Sequence, residues 1–543
     1  MSKLDFLNNL EKNTNLTRTE NGALTNISSL NPLLDLFSLA GAMRNRSEED
    51  IVNLLEKAIA CDVVRSLKYV FYNGDIRGGL GERRSFRTLI RHLAVNRPEL
   101  LEKNIHLIPH FNRWDAIYEL VDTSLERKAF ELVKEQLLQD LKSDKPSLCA
   151  KWLKSLNASS KESKILAKKT ALALNLCNFT GDIDKKTIYK NEEKYRKVLS
   201  VLRQKINVVE REMAIGSFSN INYSNVPSKA MMNYQNAFMR KDEERYTKYL
   251  VDVALGDSKM NSKTLYPYEI VKKALNSYKL KEYEKIVLEA QWQGLPDYID
   301  GQDLNSLCVV DVSGSMCGTP MEVAISLGLY CAERCSGAYK DKFITVSSKP
   351  TMETVRGNNV VEKVKNMESA EWGMNTNIEA VFELILQTAL DNNSPQEDLP
   401  KNLIIISDME MDAAMNLNDG YTGYSWRKPT LTKEQFESHK NTLFNSIENR
   451  YMACGYDMPN LIFWNVDARQ NQSPMTVDKN GWCAVSGFSP SIFKSVLNGE
   501  ITVEETVVDE ATGEEVIVRK QVLDPIETML KTLDSERYAE VVV

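Results

Sequence analysis

Two short apolar runs lead into an aspartate: Leu307-Cys308-Val309-Val310 directly before Asp311, and Leu403-Ile404-Ile405-Ile406, followed by Ser407, before Asp408. Runs this short and without alternation predict strands covered on both faces, as in an open, mostly parallel sheet flanked by helices. In such a sheet ligands bind outside the carboxyl ends of the strands, where residues far apart in sequence meet. The first strand end carries chemistry that suits this placement. Asp311-Val312-Ser313-Gly314-Ser315 offers a carboxylate, then hydroxyls at the second and fourth positions of a glycine-containing loop, so that three oxygens surround one point. Hard oxygen donors favour Mg²⁺, with Ca²⁺ or Mn²⁺ as alternatives, over zinc. Two distant positions extend the set: Thr376, in the loop Trp372-Gly373-Met374-Asn375-Thr376 before a helical pattern from Asn377 to Leu390, and Asp408. Two carboxylates and three hydroxyls leave room for water and one exchangeable ligand, so the ion can bridge to a partner's carboxylate or phosphate oxygen. A strand-end Asp followed by Ser-Gly-Ser also reads as a plain turn or helix cap; Thr376 and Asp408 are what favour the metal site.

At 543 residues the chain is long for one domain, and 43% hydrophobic with 26% charged residues suffices for a sizeable core. No apolar stretch reaches the roughly 18 residues of a membrane helix. Met1-Ser2-Lys3-Leu4-Asp5-Phe6 opens no signal-peptide core, and no membrane partner is expected. Nine cysteines without a Cys-x-x-Cys pair are expected as reduced thiols in a cytoplasm, with Cys308 and Cys331 on buried faces. Charge divides the chain. Residues 1–300 carry 48 Lys and Arg against 39 Asp and Glu, net +9, whereas 301–543 carry 20 against 36, net −16. A basic part of this kind either meets polyanions or is a lysine-rich solvated surface.

From about residue 30 to 295 apolar residues recur at helical spacing, as in Ile51, Leu54, Leu55, Ala58 and Ile59, or Phe130, Leu132, Val133, Leu137 and Leu138. Breaks at Gly74, Gly78-Gly79, Pro98, Pro109, Pro146, Gly181, Gly216 and Pro227 set the rhythm of stacked helical pairs. Arg77, Arg83, Arg84, Arg87 and Arg91 form one basic cluster. Lys229, Arg240, Lys241 and Arg245 form another, beside Tyr234, Phe238 and Tyr246. Cations interleaved with aromatics suit single-stranded nucleic acid, although Tyr234 and Phe238, four apart, also read as helix core. Gly78-Gly79-Leu80-Gly81 lacks the Gly-Lys-Ser/Thr ending of a P-loop and reads as a turn between helices.

Several segments carry a family resemblance: Asp75-Ile76-Arg77-Gly78-Gly79-Leu80-Gly81-Glu82-Arg83-Arg84-Ser85-Phe86-Arg87, Arg113-Trp114-Asp115, Tyr195 to Ser200, Val226 to Met231, Asp242 to Tyr246, and Leu265 to Ile270. With the Asp-x-Ser-x-Ser loop, Thr376 and Asp408, a pattern like a metal-ion-dependent adhesion site, the chain resembles the TROVE-plus-von-Willebrand-factor-A (Ro-like) family. Its similarity is greatest to an uncharacterised branch in viruses, plants and fungi. After Leu-Tyr-Pro this chain has Tyr268 where that branch tends to have His. The resemblance implies an N-terminal α-helical HEAT-like solenoid or ring followed by a doubly wound, Rossmann-like von Willebrand A domain. It also implies RNA binding by the ring, of single-stranded or structured small RNA. The expected division is a mobile segment over 1–20, a TROVE-like helical-repeat domain over 21–300, the A-like domain over 301–498, and a hairpin with a short helix over 499–543.

No catalytic constellation stands out. His92, His106, His110 and His439 lack partners at zinc spacing, no Gly-x-Ser-x-Gly elbow occurs, and Cys317 has no nearby histidine. Two functions stay open: an RNA-binding scaffold whose metal takes a protein carboxylate, or a protein-binding, virion-associated module without RNA. The expected location follows: cytoplasm, or virion for a viral protein.

Overall fold

The computed structural model describes residues 15–180, 184–206, 208–299, 305–347, 349–370, 377–412, 443–497, 499–508 and 515–543. A helical region precedes a mixed sheet. The chain folds into two units that do not follow its order: residues up to Asp62 belong with Leu265–Ser535, and Val63–Thr264 belong with Glu536–Val543. The helical unit is thus narrower at both ends than the 21–300 expected from sequence, and it recruits eight residues from the far end of the chain.

The sheet unit opens with an antiparallel ribbon, β1 (Leu16–Arg18) and β2 (Leu24–Asn26). Residues 15–20, expected to be mobile, are held in place: the Thr19 hydroxyl donates to the Met411 carbonyl at 2.6 Å and Asn15 Nδ2 to the Ser28 carbonyl at 2.8 Å. Helix α1 (Pro32–Leu39) begins where the Asn31 side chain accepts from the Leu33 and Leu34 amides, with proline at the first helical position. Helix α2 (Glu48–Cys61) is capped by Ser47 and buries Ile51, Leu54, Leu55, Ala58 and Ile59, the stripe visible in the sequence.

The helical unit is built from α3 (Val63–Gly74), α4 (Arg83–Asn96), α5 (Glu126–Lys142), α6 (Lys161–Leu174), α7 (Lys185–Lys205), α8 (Ser228–Lys241) and α9 (Glu243–Ala254), joined by shorter turns. Neighbours pack as α3 on α4, α5 on α6, α6 on α7 and α8 on α9. Helix α5 buries Phe130, Val133 and Leu137 but leaves Leu138, expected in the core, exposed. Pro109 is likewise no break. It is the third residue of the helix Leu107–Phe111, in the first turn, where its missing N–H costs no hydrogen bond. Phe71, Phe86 and Phe111 form an aromatic core that Tyr538 joins from the tail, 5.4 Å from Phe111 and 5.9 Å from Tyr72. Asp75, fully buried, accepts from Arg537 through both carboxylate oxygens, at 2.8 Å for Nη2, and from the Tyr538 hydroxyl at 3.0 Å. Gly78 is needed for this: a Cβ there would stand 2.6 Å from Arg537 Nε.

Returning to the sheet unit, α10 (Pro267–Leu275) and α11 (Glu282–Gln293) lead into β3 (Ser306–Val310), α12 (Thr319–Arg334), β4 (Lys342–Thr345), β5 (Met352–Thr354), α13 (Val360–Glu368) and α14 (Ile378–Asn392). Then follow β6 (Asn402–Ser407), α15 (Leu443–Ala453), β7 (Asn460–Asn465) and β8 (Trp482–Ser486). The sheet order is β5-β4-β3-β6-β7-β8, parallel throughout except for β5 at the edge. Every residue of β3, β6, β7 and β8 is buried, which explains why their sequences do not alternate. Helix α12 lies so close to β3 that a Cβ on Gly328 would meet Val310 Cγ2 at 2.5 Å. Strands β9 (Glu500–Val508) and β10 (Glu515–Leu523) form an antiparallel hairpin with Val507 opposite Val516, and α16 (Pro525–Leu533) follows. Its expected turn, Asp509 to Gly513, lies outside the described residues. All nine cysteines are free thiols, Cys308 and Cys331 buried among them. Among the described residues no helix is long and apolar enough to cross a membrane.

Candidate functional site

Strands β3 and β6 are neighbours at the point where the strand order reverses, with Val310 opposite Ile406. The next residue, Asp311, donates its amide to the Ile406 carbonyl at 3.0 Å, and Asp408 lies two residues beyond Ile406. Parallel register thus brings both strand-end carboxylates to one edge. Asp311 is fully buried; one carboxylate oxygen accepts from the Ser313 amide at 2.9 Å and the other from the Ser407 hydroxyl at 2.6 Å. The Ser313 and Ser315 hydroxyls face each other at 3.0 Å, and Asp408 Oδ1 accepts from the Glu410 amide at 3.2 Å. Thr376 lies outside the described residues.

Burial raises the Asp311 pKa to about 6, and the neighbouring Asp408 charge adds to the shift against the opposing hydrogen bonds from Ser407 and Ser313. Asp408 is raised as well, chiefly by burial. Glu410 follows the same pattern, burial first, then the charges of Glu20 and Asp408. Sequence reading missed Glu410. It is buried, accepts from the Glu20 amide at 2.6 Å and from Gln472 Nε2 at 3.1 Å, and so ties the β1–β2 ribbon to this edge.

Arg469 was missed too. Its guanidinium donates to the Ser315 carbonyl and stands 3.5 Å from Asp408 Oδ2, 3.2 Å from Glu20 Oε2 and 3.5 Å from Asp467 Oδ2. At 3.5 Å the Asp408 contact is an ion pair without a hydrogen bond, and that buried Oδ2 has no hydrogen-bond partner. An unpartnered carboxylate oxygen beside two facing hydroxyls and a second buried carboxylate is an oxygen-only donor set, which fits a hard divalent cation. No group of three or more His, Cys, Asp or Glu among the described residues is arranged to hold a metal, so the serine hydroxyls would have to serve as ligands. The rule that found Asp408 does not reach Arg469: Asp408 directly follows β6, whereas Arg469 lies four residues past Asn465, the last residue of β7.

The basic candidates lie in the helical unit. Arg77, Arg83, Arg84, Lys229, Arg240 and Lys241 are exposed. Arg87 and Arg245 are committed internally: Arg87 pairs with Asp115 at 2.7 Å, and Arg245 pairs with Asp242 at 2.7 Å while donating to the Phe218 and Ile221 carbonyls. Phe238 and Tyr246 are buried with Tyr223 and Tyr249 and form core, with Tyr234 half-buried beside them. Arg113 grips Asp115 through two nitrogens and lies 4.1 Å over the Trp152 ring, whose other neighbour is Lys151 at 5.5 Å. Burial lowers the Arg113 pKa, and the cations of Arg83 and Arg87 add to that. Counted by unit, the charge division sharpens: 38 basic and 26 acidic residues in the helical unit, net +12, against 30 and 49 in the sheet unit, net −19.

These features define a mixed α/β protein: a basic helical unit and an acidic unit whose polar residues gather at the strand ends of a mixed sheet. Residues 19–119 and 127–302, just over half of the chain, match the family described as Domain of unknown function (DUF2828), and the chain belongs to that family. Residues 305–533 match a second family, Domain of unknown function (DUF7788), whose span takes in the sheet, the β9–β10 hairpin and α16. Over 527 residues the chain is 28% identical to Uncharacterized protein L728 of Acanthamoeba polyphaga mimivirus, covering 90% of this chain and 85% of that protein.

Proposed function

We propose that the protein is an RNA-binding scaffold with a cation-dependent ligand site, as in Ro-like proteins. In this reading the sheet unit is a doubly wound von Willebrand factor A-like domain. Asp311, Ser313, Ser315 and Asp408, with Thr376 as a further ligand, hold one Mg²⁺, or Ca²⁺ or Mn²⁺ in its place. Bound there, the cation supplies one exchangeable coordination position for a carboxylate of a protein partner. Asp311 and Asp408 contribute the charge, and Ser407 orients Asp311 through its hydroxyl. The strand order β5-β4-β3-β6-β7-β8, with the carboxylates at its reversal, supports this reading.

The helical unit is read as a HEAT-like solenoid or ring that binds single-stranded or structured small RNA through phosphates, with Arg77, Arg83, Arg84, Lys229, Arg240 and Lys241 as exposed contacts. The observation that carries the RNA reading is the charge partition, +12 against −19. A polyanion is drawn to the first surface and repelled by the second. Titration of a single-stranded RNA into the purified protein at low and moderate salt tests it. Affinity should fall steeply as salt rises, because each neutralised phosphate releases counterions; absence of binding at low salt, or a flat salt response, sinks the RNA reading. Calorimetry with Mg²⁺ tests the other half, since Asp311→Ala should abolish divalent binding.

A further inference from the structure

In the helical unit a cavity of about 430 Å³ opens between the short helix Cys149–Trp152, α7 and the short helix Val209–Ala214. Its walls carry the cations Lys151, Arg196, Arg203 and Arg211 and no carboxylate. None of those cations makes an ion pair among the described residues, whereas Arg87, Arg113 and Arg245 nearby in the fold are each paired with an aspartate. Like charges facing one space repel, and with no carboxylate among the residues lining it the cavity has room for an anion. Arg196, Ser200 and Arg203 recur at four and three residues, which sets them on one face of α7. Arg203 is rigid: it donates to the Ala150 and Leu153 carbonyls at 2.8 Å and to the Ser155 hydroxyl at 2.7 Å. Burial lowers its pKa, since little solvent reaches the charge.

The remaining wall is mixed. Leu156, Leu199 and Val208 give an apolar side, and Ser155, Asn157 and Ser200 give neutral donors and acceptors. A lone phosphate would fill a small part of a cavity in the size range of organic ligands. We propose that this cavity binds a phosphorylated nucleoside, with the phosphate between Arg196, Arg203 and Arg211 and the base along the apolar wall. The site rests on the reading of this unit as a polyanion binder, and the nucleotide can come free from solution or as the phosphorylated end of an RNA strand.

Calorimetry on the full chain decides it, with inorganic phosphate, adenosine, AMP, and a short RNA carrying either a 5′-phosphate or a 5′-hydroxyl. AMP should bind at least tenfold more tightly than adenosine or phosphate alone. Arg196→Gln combined with Arg211→Gln, both exposed positions that leave Arg203 holding the backbone, should weaken AMP at least tenfold. A parallel loss for the 5′-phosphorylated strand alone identifies the RNA end as the source, and a loss confined to AMP identifies the free nucleotide; either supports the site. Unchanged AMP affinity in the double variant overturns it. Wild-type protein that binds RNA but not AMP overturns it while leaving the RNA reading standing, and binding of neither removes both.

Discussion

Asp311, like Asp408 and Glu410 beside it, is held above its ordinary carboxylate range by burial, and its pKa is pushed from 3.8 up to about 6. A carboxyl that binds its proton more tightly when folded is stabilised by acid. In EDTA the sheet unit should therefore lose stability as pH rises from about 4 to about 6 and level off above, by roughly 3 kcal/mol for a shift of this size. Asp311→Asn should flatten that slope, leaving only what the raised Asp408 and Glu410 contribute in the same direction. Urea unfolding at pH 5 and pH 7 checks it, and a midpoint no lower at pH 7 than at pH 5 would mean that Asp311 is not the group penalised. Arg469 acts on the same edge from the opposite side. Its charge stands 3.5 Å from Asp408 Oδ2, where it competes with any divalent ion for that oxygen. Arg469→Gln should raise Mn²⁺ affinity about tenfold, or 1.4 kcal/mol; weaker binding would show that Arg469 positions Asp408 instead. Asp311 was legible in the sequence because a buried strand ending on a carboxylate is a local pattern. Arg469 was not, because its contact to Ser315 spans 154 residues. Arg245 shows the converse. Its partner Asp242 lies three residues away on the same helical turn, and a local reading could have removed it from the phosphate contacts.

At the scale of elements, helices and parallel strands were readable because a buried face imposes its own period. The stripe Ile51 to Ile59 and the runs of β3 and β6 reappear as read. Helix α16 spans Pro525–Leu533 as its Asp524 cap and first-position proline suggest. What the pattern could not supply was the partner of each element. The segment Asp75 to Arg87 reads as a dense arginine cluster, yet its buried acid and Gly78 receive the segment Glu536–Val543. That segment is held at three places: Asp75 by Arg537 and Tyr538, Asn104 by both backbone groups of Val542, and Lys103 by the Val543 carbonyl. Removing Arg537 leaves a fully buried carboxylate with one hydroxyl donor from the tail. Arg537→Gln should destabilise the helical unit by about 3 kcal/mol, the lower end of the range for a broken buried pair because Arg537 is itself partly exposed. Thermal unfolding followed by near-ultraviolet circular dichroism reports it through Tyr538, Tyr72 and Phe111, and Mg²⁺ affinity should not move. A change under about 0.5 kcal/mol, the range of ordinary surface substitutions, would make the tail a passive passenger.

Across the whole molecule, charge is sorted by unit, and the sorting predicts a division of labour. The −19 unit repels a polyanion over roughly a Debye length, about 8 to 10 Å at ordinary salt, except at a bound cation. RNA affinity in magnesium, in EDTA and in Asp311→Ala should therefore agree within tenfold, or about 1.4 kcal/mol. A larger loss would make the cation part of the RNA site. The same partition has a second side, in time. The chain crosses between units after Asp62, before Leu265 and again after Ser535, and Asp75 is separated from Arg537 by 462 residues. On a ribosome adding roughly 5–20 residues per second, that gap lasts on the order of half a minute or more. During synthesis α3 and α4 exist with an open aromatic slot and an uncovered acid, and the last strand of the sheet unit is made before either is closed. The first helices of the basic unit are thus made before most of the sheet unit and finished after it.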